Sequence, residues 1–155
     1  MQYRELIKGL AEKAGIAGEV QIDDEERCLL EFDGMNVVIQ GVDAAHAVAF
    51  IAPVGEPPPE QSERLYRMLL EANHIFEGTG GATLSVNPDG GYVYLCQQLD
   101  ARSLDVDEFA KALEQFLNAL EAWRTLVNDY RARPADAEAG AADGPTSPPD
   151  AFLRV

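Results

Sequence analysis

Apolar residues recur at every third or fourth position in three stretches of the chain, and this spacing predicts three α-helices. The stretches cover residues 2–14, 60–73 and 105–130. The third begins at a capping box, in which Asp105 caps the helix and Glu108 reaches back from its third position. A helix of roughly 25 residues is about 38 Å long, so it can span a whole sheet.

Outside these stretches, apolar residues alternate with polar ones, which predicts β-strands. The predicted strands lie near residues 20–22, 28–32, 37–39, 47–52, 82–86 and 91–97. Asp33-Gly34 and Asp89-Gly90 are strong hairpin signals because Asp and Gly tolerate the positive φ of tight turns. The order α-β-β-β-(β)-α-β-β-α predicts an α+β fold, in which an antiparallel twisted sheet is flanked by helices.

One face of the first hairpin is assigned to the hydrophobic core. It carries Cys28, Leu30, Phe32, Val37 and Ile39, which occupy alternate positions. The opposite face is left toward solvent. Because side chains alternate along a strand, a shift of one residue in the register would exchange the two faces.

The composition changes after Arg133, where Ala, Pro, Gly, Asp and Ser dominate. We therefore predict one domain over residues 1–131 and an acidic, disordered tail over residues 132–155. The tail ends in a short apolar tip that contains Phe152 and Leu153. This tip could occupy a binding groove of the domain when no partner is present, and a plain disordered end is the simpler alternative.

The charge balance excludes some classes of partner. Twelve Lys and Arg residues stand against 27 Asp and Glu residues, which leaves a net charge of -15. Phosphate backbones and anionic lipids bind clustered cations, so neither nucleic acid nor a membrane is expected as a partner. The acidity favours basic protein partners, or it serves solubility alone.

The compartment follows from the cysteines and from the lack of apolar targeting segments. Cys28 and Cys96 lie inside apolar runs, as free buried cysteines do. No stretch approaches the roughly 18 apolar residues of a membrane span, and the N-terminus has no apolar signal core. A reducing cytoplasm is therefore expected.

Catalytic and metal-binding patterns are missing from the sequence. His46 and His74 lie at no metal-ligand spacing from a cysteine or from each other. The loop at residues 77–81 lacks the Lys-Ser/Thr of a phosphate loop, and the acidic run at residues 23–26 lacks the spacing of a calcium loop. We expect no cofactor, no metal and no enzyme activity, with a site assembled from distant carboxylates as the alternative.

Several motifs together resemble one known family. Leu69-Leu-Glu-Ala-Asn73 is similar to its second-helix ending, and Cys28-Leu-Leu-Glu-Phe-Asp-Gly34 is similar to its early hairpin. Gly81-Ala-Thr-Leu-Ser-Val86 before Tyr92-Val-Tyr-Leu95 resembles its late hairpin, and Phe116-Leu-Asn-Ala-Leu-Glu-Ala-Trp123 resembles its final helix. Over residues 1–131 the chain resembles the class I chaperones of type III secretion, the Tir-chaperone (CesT) family.

The resemblance implies a homodimer in the bacterial cytoplasm that binds the extended N-terminal segment of one secreted effector and keeps it competent for export. We call this bound segment the guest. The guest contacts are expected at Leu6, Leu10, Leu29, Val38 and Gln40. A regulatory or adaptor module of the same fold, similar to YbjN, which binds a folded protein, is the alternative.

The second helix is expected to form the dimer contact, since its apolar arc is wider than one sheet face can cover. The dimer residues are expected to be Leu65, Met68, Leu69 and Ala72. The alternative is that these four side chains only cover the core of the monomer.

Overall fold

The computed structural model describes residues 2–16, 20–42 and 46–132 of the chain. Its main elements are α1 (Gln2–Ala14), β1 (Arg27–Phe32), β2 (Met35–Val42), β3 (Ala47–Gly55), α2 (Ser62–Asn73), β4 (Thr83–Val86), β5 (Val93–Asp100) and α3 (Val106–Ala132). Short 3-10 turns follow α2 and β5. The predicted tail lies outside the described residues except for Ala132, the last residue of α3.

The five strands form one antiparallel sheet in the order β1-β2-β3-β5-β4. This confirms the predicted fold class of an antiparallel sheet flanked by helices. The additional strand predicted at Val20 and Ile22 is wrong, because these residues form no strand and instead pack their side chains against the core. A turn at Asp23 prevents residues 20–22 from pairing with β1. The backbone N–H of Asp23 donates to the backbone oxygen of Arg27, and the Asp23 carboxylate accepts from the backbone N–H of Arg27, so both backbone groups of Arg27 are already bonded.

The first hairpin has the predicted register. Cys28 is opposite Ile39 and Leu30 is opposite Val37, and all four side chains are buried. Phe32 is partly buried and packs against the same core. The alternation therefore identified the core face correctly.

The helix α3 covers the centre of the sheet. Its residues Phe109 and Phe116 lie with ring centroids 5.3 and 5.4 Å from the ring of Phe50 on β3. All three rings are buried, and burying one phenylalanine stabilises a fold by about 1.5–3 kcal/mol. The predicted capping box is present, because the Glu108 carboxylate accepts from the backbone N–H of Asp105, and the Asp105 carboxylate accepts from that of Glu108.

The helix α1 lies on the same side of the sheet as α3. The hydroxyl of Tyr3 donates a 2.8 Å hydrogen bond to the backbone oxygen of Ile39 on β2, and burial raises the pKa of Tyr3. Gly41 permits this contact, since a Cβ there would lie 2.9 Å from the Tyr3 ring. With both helices on one face, the described residues leave the other face of the sheet uncovered.

Candidate functional site

The uncovered face of the sheet carries a row of side chains that crosses all five strands. The paired residues in this row are Leu29, Val38, Ile51, Cys96 and Thr83. Leu29 is 65% exposed, and the neighbouring Val38 and Ile51 are half-buried. An exposed leucine beside two other apolar side chains is a surface on which another chain can bury apolar area.

A groove of about 590 Å³ begins at one end of this row. Its floor is apolar and its rim is polar, which is the usual composition of a binding groove. We call it the guest groove; its lining residues are Gln21, Ile22, Asp23, Arg27, Leu29, Val38, Gln40 and Ile51.

The polar rim of the guest groove is held in place by Asp23. Its carboxylate accepts hydrogen bonds from the backbone N–H groups of Glu25 and Arg27 and from the Arg27 side chain. The backbone hydrogen bond from Arg27 and the Arg27 guanidinium lower the pKa of Asp23. The rim therefore keeps its negative charge at neutral pH.

The structure brings three of the five predicted guest-contact residues together. Leu29, Val38 and Gln40 all line the guest groove. Leu6 and Leu10 do not join them and have to be corrected, because their side chains are only 3% and 4% exposed and belong to the core.

The reason for this correction is the packing of α1. Its apolar stripe faces the core, so the surface that α1 offers consists of the residues on its flank. Arg4, Lys8 and Glu12 line a second groove, also of about 590 Å³, between α1 and residues 20–22. The first helix can still contact a partner, but through a different set of side chains.

Sequence reasoning missed Ile51 as a residue of the guest groove. It lies in the uniformly apolar strand at residues 47–52, where no polar residue marks the outer face. The signal that could have identified it is its position next to Phe50: consecutive side chains on a strand point to opposite faces, so a buried Phe50 places Ile51 on the outer face. Arg27 was missed because the acidic run that precedes it, residues 23–26, was considered only as a possible calcium loop.

The second candidate surface lies at the end of α2. Leu65 and Leu69 are 0% and 3% exposed, so these two predicted dimer residues are part of the monomer core, as the alternative interpretation had it. Met68 and Ala72 are partly buried against the same core. The exposed apolar side chains are different ones: Leu70, Ile75 and Phe76, which we call the α2 patch, at 70%, 70% and 55% exposure.

The backbone under the α2 patch is strained. Ile75 and Phe76 have φ values of 51° and 59°. This left-handed region costs an L-residue roughly 1–2 kcal/mol, and a β-branched residue such as isoleucine is an outlier there. Asn73, which ends α2, keeps a helical backbone with a φ of -71°.

Three anchors hold this strained loop in position. The amide of Asn73 bonds both the backbone N–H and the C=O of Leu84 on β4, at 2.9 and 3.0 Å. The indole N–H of Trp123 donates to the backbone oxygen of Gly78 at 2.9 Å, and Thr79 is buried beneath the loop. The loop thus presents two large apolar side chains to solvent on a fixed backbone, which is typical of a contact surface.

The two edges of the sheet differ in their free backbone groups. On β4 the outward groups at Leu84 are occupied by Asn73, as described above. On β1 the outward groups at Arg27 are occupied by Asp23, and antiparallel alternation places the next outward groups at Leu29 and Glu31. No described residue bonds to the groups at Leu29 and Glu31. The edge at β1 therefore offers two successive free positions to another strand, whereas the same alternation on β4 leaves one, at Val86.

Chemistry other than binding finds little support in the described part of the chain. Residues 2–16, 20–42 and 46–132 contain no group of three His, Cys, Asp or Glu side chains that could hold a metal ion. Burial raises the thiol pKa of both Cys28 and Cys96, which keeps the thiols protonated and unreactive. Every described helix is too short or too polar to cross a lipid bilayer.

An antiparallel sheet with one face covered by helices, one apolar groove and one free edge defines a small protein-binding domain. The chain belongs to the Tir chaperone protein (CesT) family, whose model matches residues 5–124. None of the curated protein sequences matches it. The family match confirms the resemblance derived from the motifs, and with it the class of type III secretion chaperone that binds effectors.

Solved structures share the fold. A chain of the ExsC–ExsE complex matches with a TM-score of 0.69 and 21% identity over 80% of this chain and 92% of that one. A chain of the HopA1–SchA chaperone–effector complex matches with a TM-score of 0.65 and 16% identity over 80% and 94%. YbjN of E. coli, described as a putative transcription regulator, matches with a TM-score of 0.57 and 16% identity over 82% of this chain and 92% of that one. The family match favours the chaperone interpretation over the YbjN-like alternative.

Proposed function

We propose that this chain acts as a homodimer in the bacterial cytoplasm, where it holds the N-terminal segment of one secreted effector in an extended form that is ready for export. The observation that carries the proposal is the guest groove directly beside the free edge of β1. The function needs no catalytic step and no cofactor. A net charge of -15 supports another protein as the partner over nucleic acid or membrane.

The guest lies along β1 as an additional strand. Leu29 and Glu31 present their backbone groups about 7 Å apart, which is the repeat of two residues in a strand. A guest strand that pairs with them points alternate side chains toward Leu29 and the guest groove. Affinity then comes from main-chain hydrogen bonds, and selection comes from the apolar side chains that enter the groove.

The charge around the groove selects guests with basic flanks. Asp23 is the carboxylate that lines the groove, Glu25 lies in the same turn, and Glu31 lies on β1 two residues from Leu29; Arg27 neutralises this charge only in part, through its ion pairs with Asp23 and Glu25. Steering by exposed charges weakens with salt, because the screening length is about 8 Å at physiological ionic strength. We expect the association rate to fall as salt is raised, and the dissociation rate to change little.

The dimer forms through the α2 patch. Leu70 on α2, together with Ile75 and Phe76 on the loop whose conformation is already fixed, gives each protomer apolar surface that the monomer leaves exposed. The same patch on two copies can form a symmetric interface. Light scattering is expected to report a particle of twice the mass of the chain.

Co-expression with candidate effectors, followed by limited proteolysis, tests the proposal. We expect a protected N-terminal segment of the effector that has no fold of its own. A protected globular domain would instead support the adaptor function.

A pair of variants then tests the strand edge. Glu31→Pro removes one outward N–H, and proline is tolerated where the N–H of an edge strand faces solvent. The control Glu31→Ala removes the same side chain and keeps the N–H. Guest affinity is expected to fall with proline and to persist with alanine, and equal affinities would contradict the added strand.

A further inference from the structure

We propose that the apolar tip of this chain's own tail, residues 151–155, occupies the guest groove and the β1 edge when no guest is bound. This inference rests on the proposed function, because it assigns a regulator to the same site. Its first ground is that the tail lies outside the part of the chain that the family model matches. The family model ends at residue 124, and the structural matches cover 78–82% of the chain.

The tip has the chemistry that the guest groove is proposed to select. Its sequence is Ala-Phe-Leu-Arg-Val, in which three of the five residues are large and apolar. In a strand, Leu153 and Val155 lie on one side and Phe152 and Arg154 on the other. Each face of an added strand would therefore carry an apolar side chain, and Leu29 is the exposed apolar neighbour that one of them could cover.

Charge separates the tip from the rest of the tail. Residues 133–150 contain one Arg and four acidic residues, whereas the tip contains only Arg154. In a chain with a net charge of -15, the acidic stretch is repelled by the domain, whereas the tip, whose one charged side chain is Arg154, is not. Asp23 on the groove rim and Glu31 on β1 are carboxylates beside the position of the proposed strand.

The length of the tail is sufficient. Arg124 on α3 contacts the backbone oxygen of Gly34, in the turn that begins β2. The helix from there to Ala132 measures about 12 Å, and the strand from Gly34 back to Leu29 measures about 17 Å. The 18 residues between α3 and the tip reach about 60 Å when fully extended, and a flexible chain of that length averages about 23 Å end to end.

A full-length variant with Phe152→Asp and Leu153→Asp tests the inference without any effector. We call it the tip variant. The matched control carries Ala141→Asp and Ala142→Asp, which add the same two charges to the tail outside the tip. Amide hydrogen exchange at Leu29 and Glu31 is expected to be faster in the tip variant than in wild type, and unchanged in the control. Equal exchange in all three proteins would overturn the inference.

A labelled synthetic peptide of residues 150–155 provides a second measurement. If the tip occupies the groove for nine-tenths of the time, the peptide should bind the tip variant about tenfold more tightly than wild type. Adding Leu29→Asp to the tip variant should abolish this binding. Failure of the peptide to bind the tip variant would refute tip docking.

The two measurements separate this inference from the proposed function. Effector binding together with no change in exchange leaves the chaperone function standing and removes only the regulator. If the β1 amides are protected by the tip but no effector binds, tip docking is supported and the proposal that an effector is the partner is refuted. Docking within one chain, unlike docking between chains, is independent of protein concentration, so the exchange rates should not change on dilution.

Discussion

Leu29 and Leu70 form a matched pair that tests both proposed surfaces at once. The two residues are of the same type, with 65% and 70% exposure, and they lie on the guest groove and on the α2 patch respectively. Leu29→Ala should weaken guest binding and leave the dimer intact. Leu70→Ala should weaken the dimer and leave the intrinsic affinity of the groove for the guest unchanged.

The magnitudes follow from the area that each leucine still exposes. Complete burial of a leucine side chain contributes about 1.5–3 kcal/mol, so covering the two-thirds that Leu29 exposes contributes roughly 1–2 kcal/mol. Alanine keeps part of that contact, and we expect a loss of about 1 kcal/mol, which is roughly a fivefold rise in the guest Kd. A symmetric dimer buries Leu70 twice, so its Kd should rise roughly 30-fold.

The assays are guest-peptide titration by fluorescence anisotropy and a dilution series by light scattering. Measured at concentrations well below the dimer Kd, both variants should unfold within about 0.5 kcal/mol of wild type, because exposed side chains contribute little to the stability of the monomer. The reasoning is refuted if Leu29→Ala leaves guest affinity unchanged, or if both variants alter the same property. A large loss of stability in either variant would show that its side chain is not exposed as described.

Three further variants test the fold that positions these surfaces. Asn73→Ala removes both hydrogen bonds to Leu84 and should cost about 1–3 kcal/mol of unfolding free energy, measured in urea; a cost near zero would contradict the anchoring role. Tyr3→Phe removes the bond to Ile39 and should cost about 1 kcal/mol. Because burial raises the Tyr3 pKa in the folded state, this stability is fully present below about pH 10 and is lost at higher pH, so the variant should flatten that decline. Phe109→Ala should cost about 3–5 kcal/mol by calorimetry or urea titration, and a loss below 1 kcal/mol would contradict its central packing.

The fold could be predicted from the sequence because its signals are local. Alternation in the first hairpin, with the turn at Asp33-Gly34, identifies both the strand pairing and the buried face. The same reasoning failed at Val20 and Ile22, where two alternating apolar residues pack without a strand partner. A short alternating pattern cannot distinguish these two outcomes.

The candidate surfaces were only partly predictable. A wide apolar arc on α2 indicates an excess of apolar surface, but the arc does not tell which of Leu69 and Leu70 faces the core. The exposure of Ile75 and Phe76 depends on positive φ values, which both residue types disfavour, so local preference predicts the wrong backbone. Contacts distant in sequence, such as the bond from Trp123 to Gly78, stabilise that backbone and leave no local pattern.

The Asn73 amide has a consequence for solubility at high concentration. Growth of a sheet into a fibre requires each molecule to have two unpaired strand edges, so that each edge can pair with a different neighbouring molecule. The side chain of Asn73 fills the positions at Leu84 that a neighbouring molecule would need. One molecule can therefore accept a foreign strand along β1, while the short run of free groups left on β4 disfavours a chain of copies joined edge to edge.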